Sequence, residues 1–117
     1  MKLLENIDEI ELNDRPVQDA VLIYFGAFRG LDEIHKLDMR LFDEIPPEIG
    51  SHDGHQVAMD DTHGTLFTYG NNAEEVFKAM QPILNDFDFL EGAEVHLQFN
   101  VGKKKPLELE FDFEKSK

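Results

Sequence analysis

Seven apolar segments, five short and strand-like and two with helical spacing, predict an α+β domain. The strongest signal lies at the C-terminal end. Val95, Leu97, Phe99 and Val101 alternate with polar residues, and so do Leu107, Leu109, Phe111 and Phe113. Strict alternation over that length is the mark of a strand with one covered face. The second signal is Leu31, Ile34, Leu37, Leu41 and Ile45, whose steps of three and four predict an amphipathic helix.

Taken in order, Ala20–Phe28 is apolar on both alternate sets and reads as a central strand covered on both sides or nearly so. Gly26 and Gly30 mark the turn that follows. The first helix carries Asp32 and Glu33 in its positive first turn, and Pro46-Pro47 ends it. His55–Tyr69 reads as a hairpin. Val57 and Met59 form one arm, Asp60 to Gly64 the turn, and Thr65–Tyr69 the other arm. Asn72 followed by Glu75 predicts a capping box, opening a helix whose stripe is Val76, Phe77, Met80, Ile83, Leu84 and Phe87. Pro82 inside it removes one backbone bond and predicts a kink. The last two strands are joined by Gly102-Lys103-Lys104-Lys105-Pro106. Pairing Val101 with Leu107 puts all eight apolar residues on one face and sets His96 opposite Asp112. On that register Phe111 is a core residue, and Phe111→Glu is expected to cost about 3 kcal/mol.

The order strand, helix, strand, strand, helix, strand, strand makes its first six members the split βαβ unit, twice over, of the ferredoxin-like fold. The expectation is an antiparallel sheet with two helices on one face and an added C-terminal edge strand, in a single domain over residues 1–117. Residues 1–16, with Ile10-Glu11-Leu12, read equally as a further edge strand or an ordered arm. Residues 115–117 read as a frayed tail.

Charge narrows the partners. The net charge is −14, and between Leu41 and Gly102 twelve acids face one base, Lys78. Such a field repels nucleic acid and anionic lipid and attracts a basic protein. The absence of Cys excludes disulfides, thiolate zinc sites and cysteine nucleophiles, and fits a reducing compartment. The opening run MKLLENIDEIELND breaks into acids too soon for a secretory signal, and no apolar run approaches the ~20 residues of a membrane span. A cytoplasmic location is expected.

Sites for chemistry are scarce. His52, His55, Asp61 and His63 are the candidates for a metal site, in a stretch also holding Asp53 and Asp60. Their spacing lacks the one-turn repeat that makes two histidines of a helix converge on one ion, so the turn-forming reading is preferred and no metal or other cofactor is expected. Neither Ser51 nor Ser116 sits in a nucleophile elbow, and no pair of carboxylates stands apart from the rest. Gly70-Asn71-Asn72 leads into a helix already carrying Glu74 and Glu75, so it reads as a cap rather than an anion site. RNA-recognition modules share the element order and stack bases on aromatics of their first and third strands, here Tyr24, Phe25, Phe67 and Tyr69. The echo of their motif in His63–Tyr69 lacks the leading base and one aromatic, and the acidic field opposes RNA.

Asp53-Gly54-His55, the run Gly64-Thr65-Leu66-Phe67-Thr68-Tyr69-Gly70, and then Ala73, Phe77, Pro82 and Leu84 resemble a group of small uncharacterised bacterial proteins. That group carries Asp-Gly-x-x, a Thr-Leu-x-x-Tyr-Gly strand and a helix with x-Pro-x-Leu. The resemblance covers the middle third of the chain. It implies a bacterial source and no mechanism, and residues 107–113 lie outside it.

The reading is a non-enzymatic, acidic protein-binding or regulatory module. Glu108, Glu110, Asp112 and Glu114 form the expected contact row. Two alternatives stand beside it: a nucleic-acid mimic or immunity-type inhibitor of a basic protein, and a metal-dependent enzyme using the His52–His63 cluster. A second copy of the chain is left open as a partner.

Overall fold

The computed structural model describes residues 18–28, 30–101 and 107–114. The expectations for residues 1–16, for the 102–106 connection and for the 115–117 tail lie outside them. Within them the chain is an α+β fold: β1 (Asp19–Phe25), α1 (Leu31–Glu44), β2 (Gly50–Val57), β3 (Gly64–Gly70), α2 (Ala73–Leu84), β4 (Glu94–Phe99) and β5 (Leu107–Asp112). A 3₁₀ turn at Asp88–Leu90 precedes β4. The five strands form one antiparallel sheet in the order β2-β3-β1-β4-β5. No helix among the described residues is long and apolar enough to cross a membrane.

Alternation decides the faces. Val21, Ile23 and Phe25 of β1, Leu66 of β3, and Val95 and Leu97 of β4 join Ile34, Leu37 and Leu41 of α1 and Val76, Met80 and Ile83 of α2 in one buried cluster. The opposite face carries Leu22, Tyr24, Thr65, Phe67, Tyr69, Glu94 and His96, none of them fully buried. Helix α2 begins as its sequence predicts: the Asn72 side chain accepts from the Glu75 amide at 3.1 Å. Its helical stripe stops at Leu84, and buried Phe87 leads instead into the 3₁₀ turn.

Three expectations are corrected. First, β2 starts at Gly50 and ends at Val57, so Met59 lies beyond it, fully exposed. The early start needs Gly50 and Gly70, because a Cβ on Gly50 would stand 2.3 Å from the Tyr69 carbonyl oxygen of β3, and one on Gly70 2.3 Å from that of Ile49, just before β2. Secondly, β5 pairs two residues away from the expected register: Phe99 faces Leu107, Leu97 faces Leu109 and Val95 faces Phe111. His96 therefore opposes Glu110, and Glu94 opposes Asp112. A shift of two preserves the faces, so the alternation holds equally in either register. Phe113 fixes the choice. Its amide donates to Ala93 O at 2.7 Å, its carbonyl accepts from Gly92 N at 2.8 Å, and its ring is buried beside Phe77.

Thirdly, the apolar row of β5 is not core. Leu107, Leu109 and Phe111 are 54%, 51% and 38% exposed, because the helical layer does not extend over the fifth strand. Phe111 meets one ring edge, that of Phe77, at 5.2 Å. Phe113→Ala is therefore expected to cost about 3–5 kcal/mol, and Phe111→Ala about 1 kcal/mol. Urea unfolding of the two variants checks this; equal costs would mean that β5 is covered as the inner strands are.

Candidate functional site

The described residues offer three arrangements with chemical potential: a buried Asp–His network, a His–Glu cluster on the open face, and the acidic edge strand.

The first is built by a helix register and a bulge. Asp38 stands four residues after Ile34 and three before Leu41, on the buried stripe of α1. Opposite it, β2 carries one extra residue, Asp53, where the pairing with β3 shifts between His52 and Gly54. Gly54 supports the bulge at φ 131°, a conformation that favours glycine. In an unbroken strand His52 and His55 would point to opposite faces. The bulge turns both towards α1.

There the His52 Nε2–H donates to Asp38 Oδ1 at 2.7 Å, and His52 Nδ1 accepts from the Thr68 hydroxyl at 2.9 Å. His55 Nδ1 donates to the other carboxylate oxygen of Asp38. Burial holds the His52 imidazole below its ordinary range, outweighing the hydrogen bond to Asp38 that works the other way. The His52 side chain is wholly enclosed, with Phe42 against its ring at 4.9 Å, so no substrate reaches it. The network is a polar clasp between α1 and the β2–β3 pair.

Of the four residues weighed as metal ligands, the structure thus brings His52 and His55 to one carboxylate and leaves Asp61 and His63 in the β2–β3 turn. Asp60 closes that turn by accepting from the amide and hydroxyl of Thr62 at 3.2 and 2.6 Å. Asp61 adopts φ 61°, and His63 contacts the Thr62 hydroxyl at 3.0 Å. The missed residue is Asp38. A charged residue on an apolar helical stripe was the signal for it.

The second cluster lies on the other face. His96 of β4 donates from Nε2 to Glu94 at 2.7 Å and from Nδ1 to Glu108 at 2.8 Å, with Glu110 at 3.5 Å. Tyr24 packs edge-on to the ring at 4.8 Å. Burial works to lower the affinity of His96 for its second proton, but the hydrogen bonds to Glu108 and Glu94 prevail and raise it. The two rings are thus drawn opposite ways: His96 towards its charged form among three carboxylates, His52 towards its neutral form. Of the four aromatics set beside the RNA-recognition module, Phe25 is core, whereas Tyr24, Phe67 and Tyr69 lie on this open face.

The third arrangement is β5 itself. Among the described residues no strand pairs with its outer side. Glu108, Glu110 and Asp112 share its outward face, and Glu114 follows, exposed, beyond the strand end. Separately, a cleft of about 320 Å³ opens near the start of α1, lined by Phe28, Glu33, Asp88 and Phe89 among others. Its walls assemble no reactive set.

No protein-family model matches this chain, no curated protein matches it, and no solved structure matches its fold.

The clasp makes two expectations. Asn at position 38 has one acceptor oxygen for two donating imidazoles, so Asp38→Asn should lower stability by about 2 kcal/mol at pH 7. Because the native state holds His52 below its unfolded value of about 6.5, the unfolded chain takes up protons first as the pH falls. His52 thus lowers stability on acidification below that value, whereas the raised His96 adds stability at low pH and loses it as pH rises through its folded value. Urea unfolding at pH 7 and 5.5 should show a shallower acid loss in His52→Gln than in the wild type. An unchanged slope would remove His52 as its source.

Proposed function

We propose that this protein is a non-enzymatic acidic module that binds an extended, basic segment of another protein along the outer edge of β5. The observation that carries the reading is the exposure of all six residues of β5, apolar on one face and acidic on the other. A strand added there would satisfy the unpaired backbone groups of the edge and cover Leu107, Leu109 and Phe111. If it alternated apolar residues with Lys or Arg, its cations would fall beside Glu108, Glu110 and Asp112.

A second copy of the chain suits the edge poorly. Antiparallel self-pairing about its centre would set acid against acid on the charged face. A nucleic-acid mimic or an inhibitor of a basic protein would use this same surface. Less supports the metal-dependent enzyme reading: His52 and His55 clasp Asp38, while Asp61 and His63 stay in their turn.

The ferredoxin-like reading of the fold belongs to the same proposal. In the order β2-β3-β1-β4, β3 lies between the two strands that α1 connects, and β1 lies between the two that α2 connects. That double split supports the reading, with β5 as the added edge.

The test uses synthetic strands. An alternating Val/Lys peptide should bind, slow hydrogen exchange of β5 amides and weaken with added salt. An alternating Val/Glu peptide should not. Replacing Glu108, Glu110 and Asp112 by Gln should slow association more than it speeds release, because long-range attraction acts on encounter. Equal binding of both peptides, or protection elsewhere in the sheet, would overturn the proposal. If the triple variant binds the Val/Lys peptide unchanged yet aggregates, the row serves to keep copies apart and capture by charge is refuted.

A further inference from the structure

We propose that Glu94, His96 and Glu110 bind one first-row divalent metal ion, of the zinc class, on the open face of the sheet. Three observations converge on it. One imidazole nitrogen and one oxygen from each carboxylate lie within 4.8 Å of one another. The three come from the two paired strands β4 and β5: His96 and Glu110 are direct cross-strand partners, and Glu94 lies two residues before His96 on the same face. The ring is held in place by Tyr24, with its side chain 12% exposed, while Glu94 and Glu110 are 56% and 59% exposed.

That division of labour suits a metal. Donors around zinc stand about 3–3.5 Å apart, given bonds of about 2.0–2.2 Å. The cluster must therefore contract, and the two mobile carboxylates can do so around a fixed nitrogen. Rigid strands supply the placement and exposed glutamates supply the adjustment.

The local charge points the same way. Glu94, Glu108 and Glu110 surround a ring that carries one positive charge at most. A divalent ion on Nε2 brings two positive charges to these carboxylates. Glu108 meanwhile keeps its bond to Nδ1 at 2.8 Å and orients the ring, as a carboxylate behind a metal-ligating imidazole does. The nitrogen donor decides the class of ion. Magnesium and calcium take oxygen shells of six or more, whereas imidazole with carboxylate suits zinc and its neighbours. The site differs from the segment carrying His52, Asp61 and His63. Among the described residues, Glu94, His96 and Glu110 are the group whose ligand atoms converge.

Zinc sulfate titrated into the full chain, followed by calorimetry and by imidazole NMR, tests it. One zinc per chain is expected, with the His96 ring signals shifting before those of His35, His52, His55 and His63. Glu110→Gln and His96→Gln should each weaken zinc binding at least about tenfold. Glu110 is exposed, so its variant should keep the wild-type melting temperature and separate ligand loss from misfolding. A large excess of magnesium should not displace the zinc. The proposal fails if His96 stays silent while other histidines respond, if magnesium competes on equal terms, or if Glu110→Gln binds zinc as tightly as the wild type. Strand capture at the edge survives any of these results, since it needs no ion.

Discussion

The described fold depends on one buried carboxylate. Asp19, at the start of β1, is 3% exposed and accepts three backbone hydrogen bonds: from Ala73 at 2.9 Å, Asn100 at 2.7 Å and Val101 at 2.8 Å. Burying a charge costs several kcal/mol, and only good partners offset it. Here the partners are donors left over by other elements. Ala73 is the first residue of α2, whose amide has no acceptor within the helix, and the helix dipole favours an anion there. Asn100 and Val101 follow β4, just past its ladder. One side chain thus ties the central strand to the start of a helix and to the end of its neighbouring strand. Because β4 is stopped there, the path towards β5 begins there too.

The elements were legible in the sequence where the pattern was local. Asn72 and Glu75 announced a cap that the structure contains, and Pro46-Pro47 stopped α1 close to where it ends. What could not be read was anything set by a second segment. The β4–β5 alternation fits every even shift equally, and the register is chosen by Phe113, whose ring finds a place beside Phe77. Burial of the β5 row was equally opaque, since alternation says that one face is apolar but not that something covers it. The bulge at Asp53 had no signal beyond a glycine in a strand, yet it alone brings His55 to the side of His52.

The candidate sites were legible as residues and not as partnerships. His52 and His55 stand out in the sequence as part of a dense run of His and Asp, but their common partner lies on a helix upstream. The two histidine clusters show how far environment decides chemistry. Both set imidazole against carboxylate at 2.7 Å. Beneath α1, enclosure and a single carboxylate leave His52 neutral and fixed. On the open sheet, with three carboxylates in reach, His96 is drawn towards its charged form. The first arrangement is a structural joint, with His52 fully enclosed between α1 and the sheet. The second remains exchangeable.

That exchangeability bears on the edge strand. A row of like charges along β5 costs self-repulsion that Thr or Gln would avoid. His96 relieves part of it by bridging towards Glu108 and Glu110, and the relief falls on the face away from the apolar row. The two faces of β5 therefore carry separate demands. Leu107, Leu109 and Phe111 favour any strand that covers them, and the acids discriminate among the strands that try. On the proposed reading a copy of the chain is disfavoured by its own charge, an acidic strand likewise, and a basic one is drawn in. Apolar exposure alone would make this edge an aggregation site, and acidity alone would make it inert. Held together on a single strand, they are what the proposed capture of a basic strand rests on.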